Sequence, residues 1–270
     1  MIETFNKTLT VIRKNKLLFL ILVIIQLLAV VTFTVIAAKS QLLLLEDLNQ
    51  TLEPLQKANY DPQRVDTGQP FLEDMLPVLQ SYAILKTHFI NFIAWITFFF
   101  LVVNGVLWLG SHTLLVKYNV KQILNQWLYY LLAAIIGSAV LWAVGLILFK
   151  KLFSEIASVG SLESTLTKLG IATVIVYYLM LAAFAHINKT NLKNFWLAFF
   201  KSMKSLPRTL SYFSITTIVL GLCIYGIYMT SLIQQHFNLM IILVGLAIIL
   251  VVIARLFLII GLNDNSEELK

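Results

Sequence analysis

One arginine interrupts a long apolar run near the C-terminal end of the chain. Arg255 follows Val251-Val252-Ile253-Ala254 and precedes Leu256-Phe257. A guanidinium can bind a carboxylate or a phosphate through two parallel hydrogen bonds. Arg255 is therefore a candidate contact for a lipid phosphate or an acidic partner. In the alternative interpretation, its position near the inner lipid headgroups lets the charge reach outward along its aliphatic stem.

Other basic residues precede apolar runs. The candidate lipid or interface contacts among them are Lys14, Lys201, Lys204 and Arg208. A basic residue close to an anionic leaflet gains about 1 kcal/mol of attraction. The formal net charge of +7 therefore indicates membrane lipids as partners rather than nucleic acid.

Residue patterns typical of catalysis are missing. All 13 Asp and Glu lie outside the long apolar runs, and the chain has no H-E-x-x-H, G-x-S-x-G or P-loop sequence. His112 and His186 lack neighbouring cysteines or acids, so we interpret them as interfacial or hydrogen-bonding residues rather than zinc ligands. We interpret Asn104 as an interhelical hydrogen-bonding residue. We expect neither enzymatic activity nor a metal or cofactor.

The elements that position these residues are apolar helices. Hydrophobic residues make up 59% of the chain and charged residues 12%, and about 20 apolar residues suffice to cross a bilayer. Apolar and polar residues do not alternate within these runs. Because the strands of a membrane barrel do show such alternation, the runs favour helices. We predict one integral membrane domain over 1–270, with spans at about 17–38, 89–116, 127–149, 169–187, 209–233 and 239–261. Trp127, Tyr129 and Tyr130 are expected to anchor the third span at the interface.

Basic residues predict the orientation of these spans. Segments 1–16, 117–126, 188–208 and 255–270 together hold 13 Lys and Arg, and the segments on the other side hold 7. Cytoplasmic segments carry the excess of Lys and Arg. We therefore expect a multi-pass protein of the cell membrane with both termini in the cytoplasm.

The first outer segment, 39–88, carries helical spacing on both sides of a turn region. Leu45, Leu48, Leu52 and Leu55 recur at steps of three and four residues, as do Phe71, Met75, Val78 and Tyr82. We predict an extracytoplasmic helical hairpin that prolongs the first two spans. Its leucines should face the second set of residues or the outer leaflet.

Short basic amphipathic segments precede three spans. Aligning Phe5 with Phe195 places Leu9 on Phe199 and Lys14 on Lys204, and Val120–Trp127 is a shorter analogue. Each predicts a cytoplasmic helix lying in the membrane interface. The similarity indicates either an internal repeat or a Lys-rich pattern common among membrane proteins.

These segments also carry a family resemblance. Phe5-x3-Leu9-x2-Ile12-Arg13-Lys14-Asn15-Lys16, together with Leu192–Arg208 ahead of the fifth span, resembles prokaryotic multi-span proteins related to the membrane domain of glycerophosphodiester phosphodiesterases. Those proteins similarly alternate basic amphipathic helices with apolar hairpins, and the resemblance covers about half of the chain. The catalytic domain of that family has no counterpart here, so the resemblance implies no active-site residue.

Two functions remain open. The first is a non-catalytic membrane scaffold or lipid-associated component, alone, as a homo-oligomer or with a membrane partner. The alternative is a transport permease subunit that works with a separate ATPase. The segment Lys117–Gln126 contains no acid for coupling to such an ATPase, and no proline interrupts a span. Both features favour the first function.

Overall fold

The computed structural model describes residues 1–57, 76–154, 159–189, 191–204, 206–231 and 237–268, and over these residues the fold is all-α. The helices are α1 (Ile2–Lys14), α2 (Lys16–Lys57), α3 (Leu76–Phe98), α4 (Asn104–Thr113), α5 (Val120–Ser154), α6 (Val159–Phe184), α7 (Leu192–Lys204), α8 (Leu206–Ser231) and α9 (Phe237–Glu268). A π-helical segment, Phe99–Val103, joins α3 to α4.

Six stretches of the described helices are long and apolar enough to cross a membrane. They are Lys16–Glu53, Leu76–Thr113, Val120–Val144, Thr167–Phe184, Thr209–Thr230 and Asn238–Asn263. Each contains or overlaps one predicted span. The prediction of a polytopic helical membrane protein is therefore confirmed.

The chain divides into two compact units, Leu28–Val103 and the combination of Met1–Leu27 with Asn104–Lys270. Helix α2 has 42 residues, more than the about 20 that one crossing needs, and its residues from Leu28 onward lie in the first unit. The second half of α2 contacts α3 through Asp47 and His88, whose side chains lie 2.5 Å apart. The rings of Phe33 and Phe99 pack with centroids 5.3 Å apart.

Three leucines of the predicted outer hairpin lie on its exposed face. Leu45, Leu48 and Leu52 are exposed, whereas Asp47 and Thr51 are buried. The described part of the hairpin therefore leaves these three leucines uncovered, and its buried face holds the Asp47–His88 contact. Coverage of the leucines by the outer leaflet stays a prediction. Residues 58–75 and the side chain of Leu55 lie outside the described residues.

A π-helical segment breaks the regularity of the second span. Phe99–Val103 forms this segment without any proline or glycine, so the absence of proline from the second span does not make its helix regular. Aromatic side chains crowd its start: the Trp95 and Phe98 rings make an edge contact at 5.9 Å, and the Phe98 and Phe99 rings make another. Such segments carry little sequence signal and often occur near functional sites.

In the second unit, α9 packs against four other helices. The pairs α5–α6 and α8–α9 pack most extensively, and α9 also contacts α1, α4 and α7. Val252, Leu256 and Ile259 are fully buried, and their steps of four and three residues place them on one face of α9. This face forms much of the core.

Two of the three predicted amphipathic helices are present as separate elements. Helices α1 and α7 both have 13 residues, and their ends coincide in the alignment of Phe5 with Phe195. Their buried faces differ, because α1 buries Thr4 and Thr8 and leaves Phe5 48% exposed, whereas Phe195 is fully buried. The third expectation is wrong, since Val120–Trp127 forms the first turns of the continuous helix α5.

Candidate functional site: a cleft beside Arg255

Arg255 lies inside the helical bundle rather than at its surface. Its side chain, on α9, is only 7% exposed. The expectation that its charge reaches outward to the headgroups therefore does not hold in this fold. The helices α2 and α4 enclose the guanidinium, because each contributes a side chain that contacts it.

The contacts of the guanidinium are neutral. Nη2 donates a hydrogen bond of 3.0 Å to Oε1 of Gln26. The guanidinium carbon lies 5.5 Å from the centre of the Trp108 ring, a distance typical of a cation–π contact. Tyr130 and Tyr177 are within electrostatic range. Nη1 is buried without a hydrogen-bond partner, and no carboxylate within the described ranges contacts Arg255.

A cleft of about 340 Å³ opens beside this charge. Helices α6 and α8 form its sides, while α9 and α4 form its floor. The polar lining consists of Asn104, Tyr177, Thr216, Thr217 and Arg255, and the apolar lining is Trp108, Val174, Leu181, Phe213, Leu220, Val251, Ala254 and Leu258. Val174, Tyr177 and Thr217 are exposed. The cleft therefore opens sideways, onto the surface that faces lipid in a membrane.

A hydrogen bond to a neighbouring helix holds Asn104 of the polar lining. The Asn104 amide donates to the Tyr130 hydroxyl at 3.2 Å, which confirms the predicted interhelical hydrogen bond. Tyr130 is fully buried and packs on the Phe184 ring with centroids 4.6 Å apart. The expectation that Tyr129 and Tyr130 are interface anchors is wrong, because both side chains are buried.

The other predicted contact residues lie elsewhere. Lys14 on α1 and Lys204 on α7 are exposed, and Lys201 is half-buried. The side chain of Arg208 lies outside the described residues. Lys14, Lys201 and Lys204 are not among the residues that line the Arg255 cleft.

The two predicted hydrogen-bonding histidines are buried within the bundle. His112 Nε2 donates to the carbonyl oxygen of Phe184 at 3.0 Å, and His186 Nε2 lies 2.6 Å from Ser202 Oγ. Burial, reinforced by the charge of Lys189, lowers the pKa of His186 to about 3. His186 and Ser202 are both enclosed, so this pair ties α7 to the end of α6. Over the part of the chain that the structure describes, no three His, Cys, Asp or Glu side chains cluster as a metal site would require.

Sequence reasoning missed three of the residues around the cleft, Gln26, Trp108 and Tyr177. Gln26 did carry a signal, because it is the one amide in the first apolar run and a polar side chain there requires a partner. Trp108 and Tyr177 carried none, since aromatic residues are common on any membrane helix. Their place at the cleft arises from packing.

Comparison of the chain with family models, with curated proteins and with solved structures finds no match.

Proposed function

We propose that this chain is a non-catalytic integral membrane protein that associates with lipid, and that the cleft beside Arg255 holds an anionic lipid. One observation carries the proposal: a buried guanidinium borders an open cleft with Nη1 unpartnered. Removing an ion from water costs several kcal/mol unless an opposite charge compensates it. An anionic ligand in the cleft would supply that charge.

The position of the cleft mouth supports a lipid rather than a soluble ligand. Exposed residues of α6 and α8, including Val174 and Thr217, border the mouth. Both lie within helices that are apolar enough to cross a membrane. A ligand would enter from the bilayer without passing through water.

The two amphipathic helices add a second line of support. Ile2 and Phe5 on α1 and Phe200 on α7 are exposed apolar side chains, and Lys14 and Lys204 are exposed on the same two helices. Helices with these properties lie in the interface, with apolar residues in lipid and basic residues near headgroups. We place the protein in the cell membrane with both termini cytoplasmic. The resemblance to the membrane domain of glycerophosphodiester phosphodiesterases belongs to the same proposal.

Purification without added lipid, followed by mass spectrometry of the retained lipid, tests the proposal. Arg255→Gln should lower retention of anionic lipid about tenfold, since a hydrogen bond to a charged group contributes roughly 1.5–3 kcal/mol. Lys168→Gln removes an exposed cation of the same charge that lies on neither amphipathic helix, and it should change retention much less. Equal retention by wild type and Arg255→Gln would overturn the proposal.

The permease alternative is favoured by one observation, the π-helical segment in the second span. Reconstitution into vesicles separates the two functions. We expect no accumulation of solute or lipid under a proton or sodium gradient, because no carboxylate lies in the apolar runs to bind a driving ion. Accumulation that requires an added partner ATPase would replace the proposed function with a permease.

A further inference from the structure

We infer that the cleft beside Arg255 takes a long-chain carboxylate, a ligand of the fatty-acid class, with its carboxylate on the guanidinium and its chain directed out between α6 and α8. The inference rests on the proposed lipid association and specifies the ligand. Three features of the cleft carry it: its depth in the membrane, its charge and its volume.

The depth of Arg255 selects against an ordinary phospholipid headgroup. Arg255 precedes Asn263, the last residue of its apolar span, by about 12 Å along the helix axis at 1.5 Å per residue. That span of 26 residues is about 39 Å long, against a hydrocarbon thickness of about 30 Å. A centred span therefore places Arg255 about 7 Å inside the hydrocarbon. Phospholipid phosphates lie outside that layer.

The charge of the cleft selects a ligand with one negative charge. Arg255 is the one cation among the lining residues, and no acid is among them. A carboxylate carries one charge and matches the guanidinium fork. A terminal phosphate group carries about −1.5 to −2 at neutral pH, which would leave an excess negative charge in a buried place.

The volume of the cleft fits a small headgroup. About 340 Å³ corresponds to roughly eleven water-sized volumes of about 30 Å³. That space holds a carboxylate and the first part of one acyl chain, with the remainder outside the mouth. A phosphodiester headgroup with its glycerol needs more of this space than a carboxylate does, even with both of its chains outside the mouth.

The lining provides donors for both carboxylate oxygens. Arg255 lines the cleft, and its Nη1 has no partner. Because Nη1 is closed to solvent in this structure, the guanidinium must turn toward the cleft to donate to one oxygen. Thr217 and Tyr177 line the same cleft and carry hydroxyl groups for the other. The apolar side chains Val174 and Leu220 lie along the path of the chain.

Binding of three probes to the full-length protein in delipidated detergent micelles tests the inference. The probes are a long-chain fatty acid, the alcohol of the same chain and its phosphate monoester. The fatty acid should bind wild type at least about tenfold more tightly than the alcohol, as expected for a charge-assisted pair. Arg255→Gln should remove this preference, and Arg255→Lys should retain part of it.

A matched pair of variants tests whether the acyl chain leaves the cleft between α6 and α8. Both variants keep Arg255. Val174 lines the cleft and is 58% exposed, whereas its neighbour Ile175 is 53% exposed and does not line it. Val174→Trp should weaken fatty-acid binding, and Ile175→Trp should bind like wild type. Equal binding by the two variants would overturn the site.

The remaining outcomes separate the inference from the proposed function. Tighter Arg255-dependent binding of the phosphate monoester would show that the ligand is a phosphate rather than a carboxylate. The proposed lipid association would then still stand. Equal binding of the acid and the alcohol would overturn the anion site. No binding of any probe, together with no lipid retained on purification, would overturn the inference and the proposed function together.

Discussion

At the scale of single residues, Arg255 is held by contacts that do not neutralise it. Its hydrogen bond to Gln26 contributes roughly 1.5–3 kcal/mol, as bonds to charged groups do. The stacking on Trp108 contributes roughly 0.5–2 kcal/mol. Burying an ion costs several kcal/mol. Neither contact supplies an opposite charge, and an anionic ligand in the cleft would add a charge-assisted pair.

His186 should make the stability of the fold depend on pH. Its folded pKa of about 3 lies below its ordinary value of 6.5 because the ring is buried. Below pH 6.5 the unfolded chain therefore binds a proton at this ring that the folded chain does not. The stabilisation is complete above pH 6.5 and falls as the pH drops toward 3, by at most about 1.4 kcal/mol per pH unit.

Thermal unfolding in detergent between about pH 7.5 and pH 5 measures this effect. His186→Gln should flatten the dependence of the unfolding temperature on pH relative to wild type. Ser202→Ala removes the hydrogen-bond partner but leaves the ring buried, so it should keep the wild-type slope. An unchanged slope in His186→Gln would show that other groups dominate acid unfolding.

At the scale of helices, the contact between α8 and α9 depends on a glycine. A Cβ at Gly261 would lie 2.8 Å from Cε1 of the Tyr212 ring. Tyr212 is buried and its hydroxyl lies 3.1 Å from Thr4 Oγ1 on α1, so the ring has little freedom to move. Gly261→Ala should destabilise the fold by about 1–3 kcal/mol, the usual cost of overpacking.

Gly245 provides a control on the same helix. A Cβ there meets no atom within 4 Å. Gly245→Ala should therefore be neutral or stabilise α9 by up to about 1 kcal/mol, because alanine is the better helix former. Thermal unfolding of both variants measures the difference. Equal stability of the two variants would show that the Tyr212 ring moves aside without lowering the free energy of unfolding.

The existence of the helices was predictable, but the faces that they bury were not. Charge-free runs located all six apolar spans because the bilayer fixes both length and composition. The burial of Thr4 instead of Phe5 on α1 follows from the position of Tyr212, which lies 208 residues away. Arg255 was identifiable as a site residue, yet Gln26 lies 229 residues from it. Contacts of that separation leave no periodic signal in one sequence.

At the scale of the whole molecule, the orientation in the membrane decides what the amphipathic helices contact. The 13-to-7 distribution of Lys and Arg predicts that α1 and α7 lie on the cytoplasmic side. On that side their exposed basic residues meet the anionic leaflet, which attracts each of them by about 1 kcal/mol. The opposite orientation would remove this attraction.

Cysteine labelling of intact cells tests the orientation. Cys223 is the one native cysteine, so Cys223→Ser provides the background. A cysteine at Asp61, in the predicted outer segment, should react with a membrane-impermeant maleimide from outside. A cysteine at Lys204, which is exposed on α7, should react only after permeabilisation. Position 202 on the same helix would not serve for labelling, because Ser202 is buried against His186. A cysteine there would fail to label on either side. Labelling of Lys204→Cys from outside, with protection of Asp61→Cys, would invert the orientation and place α1 and α7 away from the anionic leaflet.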